Sequence, residues 1–248
     1  MSQVMVSIIT PCFNSAKTIE KTIQSVTGQN YADMEYIIVD GMSEDNSAEI
    51  ISRYQAKYPD MIRLISERDA GVYDAMNKGI RAARGKIIGI VNSDDWLEQN
   101  AVKTILKAMS DFPYEILYGA VKIWNDSLEV KTVLCHHSQL KTQMMMHPGC
   151  FVKREVYEKY GMFHLQYHYS ADYEFMLRMA GIEEVKFIPV YAVVSNFRMG
   201  GLSSSDKAVR ETAAVKWRYK SISRRRYIRI MAVSLLHEVY VRLKRGKR

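Results

Sequence analysis

The sequence predicts an α/β fold, a mostly parallel central sheet flanked by helices and followed by a basic helical tail. Three observations lead there. Short apolar runs alternate with segments of helical period through the first half of the chain, the pattern of successive βα units. Each apolar run ends in polar residues, where open α/β sheets bind their ligands. The positive charge of the chain is gathered from Lys216 onward.

Val4 to Thr10 reads as the first strand, and Asn14 or Ser15 is placed to cap a helix whose apolar face carries Ile19, Ile23 and Val26. Tyr36 to Val39 is a second strand, followed by a helix from about Ser47 that stops near Pro59. Ile62 to Ser66 is a third. Val72, Met76, Gly79, Ile80 and Ala83 fall at helical spacing, Gly85 marks a C-terminal stop, and Lys86 to Val91 forms a fourth strand. The strand ends carry Thr10-Pro11-Cys12-Phe13-Asn14, Asp40-Gly41-Met42-Ser43, Glu67-Arg68-Asp69 and Asn92-Ser93-Asp94-Asp95, so one rim collects them all. Beyond Asp95 a helix is expected near Ala101 to Met109, a strand near Ile116 to Ile123, and a less regular stretch to Gly149. A further helix runs from about Asp172 to Met179. With no internal repeat or low-complexity linker, the expected division is a domain of residues 1–215 and a tail of residues 216–248.

The 248 residues are 48% hydrophobic with only 5 Pro and 13 Gly, enough for one sizeable core. The net charge of +8 invites a nucleic-acid reading until it is located. From Lys216 to Arg248 there are twelve Lys or Arg and one acid, Glu238; of the 35 basic and 27 acidic residues in all, 23 and 26 remain before Lys216, a net of −3. A main domain of that sign argues against nucleic acid as its substrate. Cys12, Cys135 and Cys150 form no metal- or redox-type pair, which fits a reducing compartment. Met1-Ser2-Gln3 runs straight into the first strand without a signal-peptide pattern, and no stretch of about eighteen apolar residues suggests a membrane span, so a cytoplasmic location is expected.

Carboxylates crowded at strand ends repel one another unless a cation or hydrogen-bonding ligand lies between them. Mg²⁺ or Mn²⁺ with a diphosphate meets that need, since such ions take one or two protein carboxylates and fill the rest with phosphate oxygens and water. Asp94 and Asp95 are the candidates, and each also suits a simple helix cap. The phosphate cradles Gly-x-Gly-x-x-Gly and Gly-x-x-x-x-Gly-Lys-Ser/Thr are absent from the chain. Asp40 can accept from the imide N–H of a pyrimidine, and Phe13 can pack on the base.

Four motifs in order carry a resemblance. They are Val6-Ser7-Ile8-Ile9-Thr10-Pro11-Cys12-Phe13-Asn14, Ile37-Ile38-Val39-Asp40-Gly41-Met42-Ser43-Glu44-Asp45, Ser66-Glu67-Arg68-Asp69-Ala70-Gly71-Val72-Tyr73-Asp74-Ala75-Met76-Asn77-Lys78-Gly79 and Asn92-Ser93-Asp94-Asp95. Together they resemble the family 2 glycosyltransferases of GT-A fold, in particular bacterial polysaccharide-assembly members similar to the colanic-acid enzymes, over roughly residues 4 to 205. The resemblance implies transfer of a sugar from a nucleotide-diphosphate donor to a saccharide acceptor with inversion. It implies that Thr10, Pro11, Phe13, Asp40 and Asp69 line the nucleoside pocket with Asn77 and Lys78 nearby, and that Asn14 belongs to the donor site. Asn92 stands where the family has the first aspartate of Asp-x-Asp; its amide suits a ribose better than a metal, and Ser93 follows it, so the metal is assigned to Asp94 first and Asp95 second.

Ser170-Ala171-Asp172-Tyr173-Glu174-Phe175 resembles the segment that bears the catalytic base, here Asp172, although this chain has Ala-Asp where Glu-Asp is common. His147 before Pro148-Gly149 occupies a place where related enzymes bring a polar residue towards the diphosphate or acceptor. Arg198-Met199-Gly200-Gly201-Leu202-Ser203 suits a loop that closes over bound donor. In the tail, Ile228, Leu235, Leu236, Val239 and Leu243 fall near one helical face between Arg224-Arg225-Arg226 and the basic stretch from Arg242 to Arg248. Such a helix suits an anionic membrane surface bearing a lipid-linked acceptor, or packing on the domain, or a homodimer. A sugar-phosphate nucleotidyltransferase would want a glycine- and basic-rich loop where Pro11-Cys12-Phe13-Asn14 stands. The other alternative, a non-catalytic binding module, would act through the basic tail alone.

Overall fold

Alternation along the strands sorts their side chains between two cores. The computed structural model describes residues 5–201 and 205–245. In chain order the strands of the first half are β1 (Val6–Cys12), β2 (Met34–Asp40), β3 (Ile62–Ser66), β4 (Ile87–Ile90) and β5 (Trp96–Leu97). Those of the second half are β6 (Glu115–Asn125), β7 (Leu128–Val133), β8 (Cys150–Lys153) and β9 (Lys186–Arg198). The helices are α1 (Ile19–Thr27), α2 (Ser47–Lys57), α3 (Val72–Ala82), α4 (Ala101–Ala108), α5 (Arg154–Tyr160), α6 (Ala171–Ala180), α7 (Asp206–Arg218) and α8 (Arg224–Arg245).

Every residue of β1 and β2 is buried. Ile8, Tyr36 and Ile38 face one core with Ile19, Ile23 and Val26 of α1, Ile51 of α2 and Ile105 of α4. Ile9, Ile37 and Val39 face the other, with Met76 and Ile80 of α3 and Tyr173 and Phe175 of α6. Helices on both faces explain why these strands read as continuous apolar runs. A fully buried residue such as Ile23 contributes about 1.5–3 kcal/mol. Gly79 lets α3 press onto β1, because a methyl group there would collide with the Ile9 side chain.

The sheet order is β3-β2-β1-β4-β8-β6-β9-β5, with β7 paired to β6. The first four strands are parallel. From there β8 pairs antiparallel with both β4 and β6, while β6 and β9 are parallel again. The sheet as a whole is therefore mixed, where the sequence reads as mostly parallel; the βα pattern that signals parallel strands ends with β4.

Local details differ from expectation for identifiable reasons. Neither Asn14 nor Ser15 caps α1, which begins at Ile19 after a turn closed by the Ser15 carbonyl on the N–H groups of Thr18 and Ile19. The helix α3 ends at Ala82, and Gly85 serves a close approach instead, donating its N–H to Ser7 Oγ at 2.8 Å. The division expected after Val215 falls inside α7, and Val215 is fully buried in the second core. The tail thus continues a helix of the domain. Its last helix, α8, packs on α7: Arg210 Nη2 meets Glu238 Oε2 at 2.8 Å, and Ser234 Oγ donates to the Asp206 carbonyl at 3.1 Å. Among the described residues no helix is long and apolar enough to cross a membrane.

Candidate active site

Parallel register brings the strand ends together. Cys12 lies beside Asp40, and Asp40 beside Ser66, so the segments that follow β1, β2 and β3 share one rim. Phe13 and Met42 stand exposed there, Met42 with a φ of +65 that only a tight turn demands. Between them Gly41 leaves room for the Asp69 carboxylate, which a side chain at that position would strike. Asp69 Oδ1 accepts the Gly71 N–H at 2.9 Å. Asp40 is buried; Ser43 Oγ donates to its Oδ1 at 2.5 Å and Ser66 Oγ to its Oδ2 at 3.2 Å. Asn14 ties the neighbouring loop, accepting the Glu44 N–H at 2.8 Å.

Several residues expected at the nucleoside are engaged elsewhere. Thr10 is buried within β1, where its hydroxyl accepts from Tyr36 at 2.9 Å, and Pro11 is buried beside it. Both lie behind the rim because the strand continues to Cys12. Asn77 makes a two-way bridge to the backbone of Phe163, donating to its carbonyl at 2.9 Å and accepting its N–H at 3.1 Å, and so faces the core. Lys78 donates to the Arg68 carbonyl and pairs with Glu67 at 3.0 Å. Its ammonium holds the loop that carries Asp69.

The fourth strand end separates two neighbouring aspartates. Asp95 is 1% exposed, and its two oxygens accept the Arg198 N–H and the Asn92 side-chain amide, each at 2.9 Å. Burial, then the charge of Asp94, pushes its pKa up to about 7. With each oxygen accepting one protein donor, Asp95 anchors the end of β9. Asn92 orients Asp95 directly. Ser93 Oγ meets Ser15 Oγ at 2.7 Å. Asp94 is only half-buried; burial raises its pKa, while Arg198 and His147 lie close enough to favour its charged form. Gly201 lies over it, a methyl group there coming within 3.7 Å of Oδ2. The remainder of that glycine segment, Leu202-Ser203, lies outside the described residues.

Asp172 stands on the first turn of α6 and is 4% exposed. Tyr73 Oη donates to its Oδ1 at 2.8 Å, and His147 Nδ1 lies 3.2 Å from its Oδ2. His147 opens the short turn before β8, and its other nitrogen, Nε2, is buried without a hydrogen-bond partner. A carboxylate has about four lone-pair sites, so Asp172 retains capacity for a further donor. Among the described residues no three His, Cys, Asp or Glu side chains converge as a ready metal cage. Tyr73 went unnoticed in the sequence. Its spacing from Met76 and Ile80 puts it on the buried face of α3, and a phenol on such a face needs a polar partner.

The chain resembles several characterised proteins. A PGL/p-HBAD biosynthesis glycosyltransferase of Mycobacterium bovis (strain BCG / Pasteur 1173P2) is 26% identical over 214 residues, spanning 83% of this chain and 81% of that one. Staphylococcus aureus TarS 1–349, solved with UDP-GlcNAc, superposes with a TM-score of 0.68 at 16% identity over 93% of this chain and 71% of its own. The mannosyltransferase PcManGT of Pyrobaculum calidifontis, solved with GDP-Man and Mn²⁺, gives 0.68 at 17% identity over 95% and 75%. The fold is that of the GT-A glycosyltransferases. With the model for glycosyl transferase family 2 matching residues 7–168, the chain belongs to that family.

Proposed function

We propose that this glycosyltransferase moves a sugar from a nucleotide-diphosphate donor to an acceptor hydroxyl in a single displacement that inverts the anomeric centre, with Asp172 as general base. The observation that carries this reading is the fixing of the Asp172 carboxylate by Tyr73 and His147, the latter also within electrostatic reach of Asp94. The acceptor oxygen attacks the anomeric carbon as the bond to the diphosphate breaks on the opposite face, and its proton passes to Asp172. Buried Asp40, partly exposed Gly41 and Asp69, and exposed Phe13 form the nucleoside end of the donor site.

Asp94 and His147, whose Nε2 is buried without a partner, would hold a divalent ion, Mg²⁺ or Mn²⁺. A histidine whose Nδ1 faces a carboxylate presents its other nitrogen as a ligand, and carboxylate plus imidazole leaves the remaining positions for diphosphate oxygens. When bound, such an ion neutralises charge on the departing diphosphate. Arg198, reaching the same place from the end of β9, adds a second positive charge.

The relatives' role in glycoconjugate assembly suits a lipid-linked acceptor at the cytoplasmic face of a membrane. The outer side of α8 leaves Ile228, Leu235 and Leu236 exposed among arginines, a surface suited to anionic lipid. Val239 and Leu243, expected on that face, have side chains outside the described residues.

The test is a thermal-shift screen of UDP-, dTDP- and GDP-sugars with and without Mn²⁺. One class should stabilise the protein only with metal, by about 2.7 kcal/mol at a hundred times its dissociation constant. Product anomeric configuration, read by NMR, should be opposite to the donor's. Stabilisation by none of the donors, or a retained configuration, would refute the proposal.

A further inference from the structure

One residue removed from Asp172, through Tyr73, lies a cavity of about 250 Å³ whose lining begins at Ala70 and Gly71, just after Asp69. Val72 and Tyr73 form one side, and Leu165, Tyr167, His168 and Tyr169 the other. Tyr73 belongs to both places, lining the cavity while its hydroxyl bonds Asp172 at 2.8 Å. The volume is below the roughly 300–1,000 Å³ that encloses a drug-sized ligand, which limits the occupant to about one ring. Aromatic residues in the lining suit the C–H face of a pyranose, and Asp74, whose Oδ2 takes the Ala70 N–H at 3.1 Å and lies 3.6 Å from Lys78 Nζ, keeps Oδ1 for its hydroxyls.

The far wall is held from outside. Glu211 of α7 accepts three successive backbone N–H groups, from His168 at 2.9 Å, Tyr169 at 2.6 Å and Ser170 at 2.8 Å. Arg218 Nη1 donates to Tyr167 Oη at 3.1 Å, and Ser170 Oγ meets Thr212 Oγ1 at 2.8 Å. All three are α7 residues, in the part of the chain beyond the end of the family match. Hydrogen bonds from a carboxylate to consecutive amides fix a loop that lacks secondary structure of its own. The wall therefore keeps its shape without a ligand.

We propose that this cavity is the subsite for the acceptor's terminal sugar ring, with Glu211 as the positioning residue that holds its wall. The inference rests on the reading of Asp172 as base, because Tyr73 links the cavity wall to that carboxylate.

Saturation-transfer difference NMR on the full chain tests it, using methyl α- and β-glycosides of glucose, galactose, mannose, N-acetylglucosamine and rhamnose, with and without UDP and Mn²⁺. At least one glycoside should receive saturation on its ring C–H protons. Leu165→Ala, at a half-exposed position, and Tyr167→Ala should each cut that signal at least fivefold. Glu211→Ala should do the same, whereas Glu211→Gln, which keeps the oxygen shared by Tyr169 and Ser170, should hold within twofold of wild type. Absence of saturation for every glycoside, undiminished signal in the Leu165 and Tyr167 variants, or displacement by UDP would overturn the subsite. Equal loss in the two Glu211 variants, or none in either, would overturn the brace. Since the readout needs no donor, its failure leaves the metal-dependent donor binding to stand or fall by its own screen.

Discussion

The imidazole of His147 and the carboxylate of Asp172 meet at 3.2 Å, joining the turn before β8 to the first turn of α6. Tyr73 completes the contact from α3. If Asp172 is the base, Asp172→Asn removes the proton acceptor while keeping the side chain's size. Turnover should fall by roughly a hundred- to ten-thousandfold with donor affinity little changed. A loss below tenfold with a competent acceptor would sink the assignment.

The two aspartates that end the fourth strand should separate cleanly. Asp94→Ala and His147→Ala should each abolish the metal-linked part of nucleotide-diphosphate affinity in calorimetry. Asp95→Ala should instead destabilise the fold by about 1–3 kcal/mol in urea, because the Arg198 N–H and the Asn92 amide lose their acceptor. Equal stability loss in the Asp94 and Asp95 variants would contradict this division.

Asn77 is expected to act on stability. Asn77→Ala leaves the N–H and carbonyl of Phe163 unpaired in the core and should cost about 2–3 kcal/mol. Donor affinity measured under folding conditions should stay within twofold. A selective loss of donor binding at unchanged stability would return Asn77 to the nucleoside site.

Glu35 makes stability depend on pH. Burial raises its pKa, but bonds from Ser7 Oγ, the Arg84 N–H and the Arg84 guanidinium, with the latter's charge, outweigh burial and hold it below the ordinary glutamate range. Its contribution is fully present above that range and is lost as pH falls through the depressed folded value. Urea melts from pH 7 to pH 3 should show the gap between wild type and Glu35→Gln closing as pH falls. A gap of constant size would contradict the linkage.

The outer face of α8 can be tested without removing α7, whose Val215 belongs to the core. Leu235→Glu with Leu236→Glu places charge on the exposed stripe and leaves the Ser234 and Glu238 contacts in place. The double variant should lose co-sedimentation with vesicles containing anionic lipid, and wild-type binding should weaken at high salt. Binding that ignores both changes would leave packing or dimerisation as the role of the helix.

What the sequence alone determined is local and periodic. Apolar runs and helical spacing located β1 to β4 and α1 to α3, since a side chain's face follows directly from its place in the repeat. Polar strand ends then located the rim, because parallel strands joined by helices finish on one side. Only the tertiary structure decided how those residues are used. Asp94 and Asp95 are neighbours of the same chemistry, yet Asp95 turns inward to the Arg198 backbone while Asp94 stays at the rim. Asn77 faces Phe163, Tyr73 reaches Asp172, and Glu211 holds the amides of His168 to Ser170 across long stretches of chain. Hydrogen bonds between distant segments depend on how the elements pack, and one strand's sequence carries no record of its partner. Val215 shows the same limit: charge composition suggests a boundary there, whereas burial in the core continues the helix through it.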